Sequence, residues 1–336
     1  MKAVIDDKIP YIRGEIEKLA SEVVYLLGAE ITADNVRDAD VLIIRTRTHC
    51  NESLLHDSRV RLILTATIGY DHIDTAYCAA HSIEWHNCPD CNANSVATYI
   101  KNTIHTLQHP SLQLPLNSPS TPLELPLTIA LFGLGHVGSI VARNAENDGF
   151  RVLRYDPFLG YDDYDEILRS ADIITFHVPL TYDGPHPTHY MADEHFFSSL
   201  RCRPFIINTS RGGVVKESAL LSALDNGLIR GAVIDTWENE PCINLDLLHK
   251  ALIATPHIAG YSANGKYNAT RMVLQHLRTY LTHTPPSPEN QSSPEFPSLP
   301  LLTPQTLLSD SQLLKAHPDQ FESFRNHYPP RCENVQ

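Results

Sequence analysis

The sequence predicts an α/β fold of two doubly wound parallel-sheet lobes, and three observations carry that expectation. Short unbroken apolar runs, such as Val41-Leu42-Ile43-Ile44 and Leu62-Ile63-Leu64, recur with helix-length intervals between them. Runs without alternation mark strands buried on both faces of a parallel sheet. A glycine-rich turn, Gly133-Leu134-Gly135-His136-Val137-Gly138, follows one such run and opens a helical pattern. At 336 residues the chain exceeds one ordinary domain, and its 42% apolar content can fill two cores.

The elements follow in order. Ala3-Val4-Ile5 reads as a short buried strand, and Tyr11 to Leu19 carries apolar residues at helical spacing. The two quoted runs are the next strands, and Ser95 to Leu107 is a helix, so the first hundred residues are βαβ material. His109 to Pro126 is a proline-bearing connector. A second unit opens with the strand Leu127 to Phe132 and a helix over Ser139 to Asn147, ended by Gly149. Strands are expected at Arg151–Tyr155, Asp172–His177, Phe205–Asn208, Ala232–Asp235 and Leu252–Thr255, and a helix from Asn264 to Leu281. Thr284 to Pro304 holds seven of the 24 prolines and reads as a linker. Thr303 to Gln336 forms one or two helices, too small to bury a core of its own. The boundaries expected are therefore residues 1–94 plus 261–283 for one lobe and 95–260 for the other, with 284–336 as linker and tail. Two crossings between the lobes would form a hinge that closes a cleft.

Composition removes several function classes. A formal net charge of −13 and the lack of a basic block argue against nucleic acid and anionic membrane as partners. An anionic substrate would have to be held by local cations against that field. Asp6 and Asp7 interrupt the apolar stretch a secretory leader needs, and no run approaches the ~18 residues that span a bilayer. Seven cysteines, an odd number without framework spacing, fit reduced thiols in a cytoplasmic protein. Cys88-Pro89-Asp90-Cys91 spells C-x-x-C but closes a strand pattern and has no second pair, so neither redox chemistry nor a metal is expected.

The glycine turn gains meaning from its surroundings: a strand before it, a helix after it, and a second strand ending in Asp156. That context is the dinucleotide-binding fingerprint of a Rossmann unit. Gly133 permits the tight turn, Gly135 lets backbone approach a pyrophosphate, and Gly138 lets helix and strand pack. His136 and Val137 open the helix whose N-terminus faces the phosphate charge. Asp156 can accept from ribose hydroxyls and would repel a 2′-phosphate, so the cofactor expected is NAD.

Three later segments place polar residues just past strand ends, where open α/β sheets bind ligands. They are Asn208-Thr209-Ser210-Arg211-Gly212-Gly213, Asp235-Thr236-Trp237-Glu238-Asn239-Glu240-Pro241 and Thr255-Pro256-His257-Ile258-Ala259-Gly260-Tyr261. In this order they resemble the D-isomer-specific 2-hydroxyacid dehydrogenase family, over about residues 1–281. The resemblance implies His257 as proton acceptor, Glu240 as its partner, and Arg211 either as clamp for the substrate carboxylate or as the group that polarises the C2 oxygen. A histidine titrates near neutrality and suits that base, and a guanidinium fork matches a carboxylate. It implies Asp235 on the nicotinamide side and Val178, Thr209, Ser210 and Gly260 along the dinucleotide.

Within the family, further stretches resemble a branch that acts on a phosphorylated 2-hydroxy acid. They are Asp6 to Tyr11, Thr65 to Asp74, Cys91-Asn92-Ala93 leading into Tyr99-Ile100, Asp183-Gly184-Pro185, and His257 to Ser262 continuing to Gly265-Lys266. Substrate contacts then fall on Thr46, Thr67 and Tyr261. Arg45 and Arg47 are the candidates for the phosphate; strand alternation would put both on the face opposite Thr46, and plain surface positions are the alternative. Sister enzymes for 3-phosphoglycerate, glyoxylate, hydroxypyruvate or D-lactate stay open, as does a non-catalytic NAD sensor on the same fold. Arg211, Glu240 and His257 together argue against the sensor. The resemblance also implies a homodimer, although the connector is longer and the C-terminal region shorter than the family pattern.

Overall fold

The structure, a computed structural model, describes residues 1–108, 126–284, 296 and 298–333. Nearly all of the expected connector and much of the proline-rich stretch lie outside the described residues. The chain divides into two compact units, residues 1–92 with 262–298 and residues 93–261 with 299–336.

Unit one begins with β1 (Lys2–Asp6), β2 (Glu22–Leu26), α1 (Ala33–Val36), β3 (Val41–Ile44), α2 (Glu52–Leu55), β4 (Leu62–Thr65), α3 (Thr75–Ala80) and β5 (Glu84–His86). Its five strands run parallel in the order β2-β1-β3-β4-β5. Successive residues of a strand serve opposite cores. Ala3, Ile5, Ile43 and Leu64 pack with Ile12 and Ile16, while Val4, Leu42, Ile44 and Ile63 pack with Val36, Leu55 and Cys78. Two apolar faces explain why the strand sequences do not alternate. The helix expected over 11–19 is a single 3₁₀ turn, Ile16–Lys18. Tyr11 and Gly14 both have positive φ, 60° and 84°, and turn the chain before a helix can form.

Unit two runs through α4 (Ala93–Gln108), β6 (Thr128–Phe132), α5 (His136–Asn147), β7 (Arg151–Asp156), β8 (Tyr161–Asp162), α6 (Tyr164–Ser170), β9 (Ile173–Phe176), α7 (Glu194–Ser199), β10 (Phe205–Asn208), α8 (Glu217–Asp225), β11 (Gly231–Ile234), α9 (Leu245–Lys250) and β12 (Ile253–Ala254). The sheet order is β12-β11-β10-β9-β6-β7-β8, with only the short β8 antiparallel. Strand order reverses beside β6, so the turns after β6 and β9 flank a switch point, the place where such sheets bind ligands. Among the described residues no helix is long and apolar enough to cross a membrane.

After Tyr261 the chain returns to unit one as α10 (Ala263–Thr282), whose Val273 and Leu277 complete the core of Ile5 and Ile16. The tail forms α11 (Pro304–Ala316) and α12 (Phe321–Asn326). Too small to bury a core of its own, it packs into unit two on both sides of the sheet. Leu302 and Leu307 join the core of α4 and α5, and Leu314 and Phe321 join the core of Phe196 and Leu247. The backbone N–H of Ala254 on edge strand β12 donates to Ser311 Oγ at 2.9 Å. The tail thus covers an edge that would otherwise offer unpaired donors.

Candidate active site

At the switch point of unit two, Gly133 ends β6 with φ 89°, and its N–H donates to the Tyr155 carbonyl at 2.9 Å. A Cβ on Gly138 would lie 2.0 Å from the Gly133 carbonyl oxygen, so strand and helix meet at a distance only glycine allows. Gly135 caps the twelve-residue α5 and has open space where a side chain would stand. Backbone N–H groups at a helix start, open to approach, are what a pyrophosphate needs. Val178 touches the Gly133 turn, since a Cβ there would come within 2.7 Å of its Cγ1. Thr209 Oγ1 is buried without a hydrogen-bond partner among the described residues. These residues fit a dinucleotide. Asp156 Oδ2 accepts from the Leu134 N–H at 2.8 Å, tying β7 to the glycine turn.

The second part of the site is built from three loops at the carboxyl ends of β10, β11 and β12. Asn208 accepts from both the N–H and the Oγ of Ser210, at 3.1 and 2.8 Å, and donates to the Arg211 carbonyl at 2.9 Å. Arg211 Nη1 donates to the Ser210 carbonyl at 2.7 Å. Gly212 brings this loop against the next: a Cβ there would lie 2.1 Å from the Trp237 carbonyl. Trp237 N–H donates to Glu240 Oε1 at 3.0 Å, aiming that carboxylate. Glu240 in turn meets His257 Nδ1, at 2.9 Å from Oε2 and 3.0 Å from Oε1. With Nδ1–H directed at the carboxylate, the neutral ring carries its lone pair on Nε2, the form a base requires.

Burial works against ionising Glu240, but His257, Arg325 and the Trp237 N–H outweigh it and hold the carboxyl below its ordinary range. Asp235 is only 1% exposed. Its Oδ1 accepts from Thr255 Oγ1 at 2.6 Å and the Ile258 N–H at 2.8 Å, and its Oδ2 from the Ala259 N–H at 2.9 Å. In this geometry Asp235 anchors the His257 loop from beneath. Gly260 and Tyr261 close the loop half-exposed.

Two arginines that brace the loop were not found by reading the sequence. Arg325 on α12 donates from Nη1 to Glu240 Oε2 and from Nε to the Tyr261 hydroxyl, both at 3.3 Å. Arg331, 4% exposed, donates to the carbonyls of Tyr261, Ile258 and Ala259 at 2.5, 2.9 and 3.0 Å. Their partners are 64 to 85 residues away along the chain, beyond the reach of any local pattern.

The other expected substrate contacts lie in unit one. Arg45 and Arg47 do not alternate along a strand. Strand β3 stops at Ile44, and Arg45 to Thr48 form a turn closed by the Thr48 N–H on the Arg45 carbonyl at 3.2 Å. Arg45 Nε pairs with the buried Asp6 carboxylate at 3.1 Å, across the β1/β3 switch point. Thr46 and Arg47 are exposed in that turn. The Thr67 hydroxyl is already engaged, 2.6 Å from Thr65 Oγ1 and donating to the Gly69 carbonyl at 2.8 Å. Thr65 Oγ1 meets His72 Nε2 at 3.0 Å. Cys88 and Cys91 are buried thiols, and burial pushes Cys88 up to about 12, which makes it a poor nucleophile. Among the described residues no cluster of His, Cys, Asp or Glu is arranged for a metal ion.

Residues 124–259 match the family described as D-isomer specific 2-hydroxyacid dehydrogenase, NAD binding domain. The chain is 49% identical to an erythronate-4-phosphate dehydrogenase of Bacteroides thetaiotaomicron, covering 99% of this chain and 97% of that one. It is 38% identical to the protein of that name from Porphyromonas gingivalis, covering 98% and 92%. Among solved structures, the D-lactate dehydrogenase of Aquifex aeolicus complexed with NAD and lactic acid superposes with a TM-score of 0.72 at 26% identity, covering 84% of this chain and 96% of that one.

Proposed function

The chain belongs to the D-isomer specific 2-hydroxyacid dehydrogenase family, and we propose that it oxidises the 2-hydroxyl of 4-phospho-D-erythronate to the 2-oxo acid, on the route to pyridoxal 5′-phosphate. It is an NAD-dependent oxidoreductase. The observation that carries the proposal is the Glu240–His257 pair, held at strand ends in the same unit as the glycine turn.

NAD, when bound, supplies the hydride acceptor. The chain's own residues handle the proton and the anion. His257 Nε2 takes the hydroxyl proton as the C2–H bond breaks, and the Glu240 carboxylate stabilises the imidazolium that results. Arg211, steadied by its bond to the Ser210 carbonyl, clamps the substrate carboxylate. The Asp156 carboxylate accepts from the ribose and disfavours a 2′-phosphate. Thr46, Thr67, Tyr261, Arg45 and Arg47 are the proposed substrate contacts, with Thr67 restricted to accepting because its own proton goes to Gly69. Reduced cysteines fit a cytoplasmic enzyme, and Leu301 and Leu313, exposed on the tail, are the contact proposed for a homodimer.

The test is NADH formation with 4-phosphoerythronate against 3-phosphoglycerate and D-lactate. A clear preference for 4-phosphoerythronate is expected. A preference for either competitor overturns the substrate and leaves the family standing.

A further inference from the structure

Among the described residues, the Glu240 carboxylate has a second cation besides His257, and it comes from the tail. Arg325 Nη1 stands 3.3 Å from Glu240 Oε2, the oxygen that lies 2.9 Å from His257 Nδ1. The Arg325 side chain is 13% exposed and that of Glu240 is 16% exposed, so little water screens the pair. We propose that Arg325 is a positioning residue of the oxidation, holding Glu240 between itself and His257 and fixing the Tyr261 hydroxyl beside them. The inference rests on the reading of His257 as proton acceptor.

A carboxylate against an imidazole has two opposed effects. It stabilises the imidazolium formed in the reaction, and it also draws a proton onto the resting ring, which would leave the base already occupied. Arg325 moderates the second effect by dividing the carboxylate's field between two cations. The other charges facing His257 are on separate elements. Asp235 lies beneath the loop at the end of β11, and its carboxyl is raised by burial, against which His257 acts. Arg331 holds the loop carbonyls on the tail side, and Tyr261 presents its hydroxyl to Arg325. Removing Arg325 leaves Glu240 and Asp235 facing the ring with Arg331 as the remaining tail cation. The ring should then hold its proton more tightly, the opposite of what removing Glu240 would do.

A merely structural arginine, tying α12 to the loop, would lower thermal stability and kcat at every pH alike. The experiment compares the pH profile of kcat in the oxidation direction for wild type, Arg325→Met, Arg325→Gln and Arg325→Lys, with melting temperature beside each. In Met and Gln the lower limb should move by about one unit to higher pH, with most activity regained on the alkaline plateau. In Lys, which keeps a cation, the limb should stay with wild type. Either charge-removing variant alone suffices if the other does not fold. An unmoved limb in a folded Met or Gln variant overturns the inference, as does a Lys variant that shifts as far as they do. NMR titration of the His257 imidazole, assigned by loss of its signal in His257→Gln, reads the same displacement without turnover. An enzyme inactive on all three acids would therefore refute the proposed function while leaving the role of Arg325 decidable.

Discussion

At His257 the backbone and the ring are fixed by different residues, so mutation can separate them. The backbone N–H donates to the Asp235 carbonyl at 2.8 Å, while the ring depends on Glu240. Removing the ring should leave the loop in place. In His257→Ala, kcat should fall roughly 10²–10⁴-fold, the usual worth of a positioned base. NADH affinity, measured by fluorescence titration, should hardly change, because the glycine turn is untouched. Glu240→Gln keeps the volume and loses the charge. Loss of an anion disfavours imidazolium, so the lower limb should move toward acid and kcat should drop with the weaker base. Near-normal turnover in His257→Ala, or an unmoved limb in Glu240→Gln, would mean that another residue takes the proton. These residues were legible because each follows a strand end within a short motif. Arg325 and Arg331 were not, because their partners are remote in sequence and no local rule links them.

Legibility of an element followed its burial. Strands β3, β4 and β10, buried at every residue, were visible as apolar runs ending in at most one polar residue, and the equally buried β9 as a run broken only by Thr175. Edge strand β2, mostly half-buried, carries the run Val23 to Leu26 yet was passed over, while β5 and the fully exposed two-residue β8 left no such run. The stretch 11–19 showed helical spacing because Ile12 and Ile16 are both buried, yet two residues of positive φ break it. The tail was undervalued for a different reason: its apolar side chains fill cores that belong to other segments. Leu302, Leu307, Leu314 and Phe321 are all buried. Fully burying such side chains stabilises by about 1.5–3 kcal/mol each, so together they approach the ~5–15 kcal/mol that holds a whole domain. A chain ending at Ser298 should accordingly lose cooperative unfolding and appear in the insoluble fraction. A soluble truncated protein with a sharp melt would show that the tail is a removable appendage.

Across the whole molecule, charge poses the problem that the individual cations have to solve. The chain carries a formal net charge of −13, and a phosphorylated hydroxy acid is itself multiply anionic. At ~0.01 M ionic strength the Debye length is about 30 Å, so an approaching substrate feels the summed negative field. At ~0.15 M it is about 8 Å, and only the nearest groups act. Salt should therefore screen the long-range repulsion before it weakens a close guanidinium such as Arg211. For the phosphorylated acid, kcat/KM should rise roughly two- to fivefold as sodium chloride is brought from ~10 to ~150 mM. Any turnover of D-lactate, a single anion, should respond less. The sign is the reverse of an electrostatically steered enzyme, whose rate falls steeply with salt. A fall that is greatest for the phosphorylated acid would mean that the local cations already dominate at long range, and that the acidic surface lies away from the approach path.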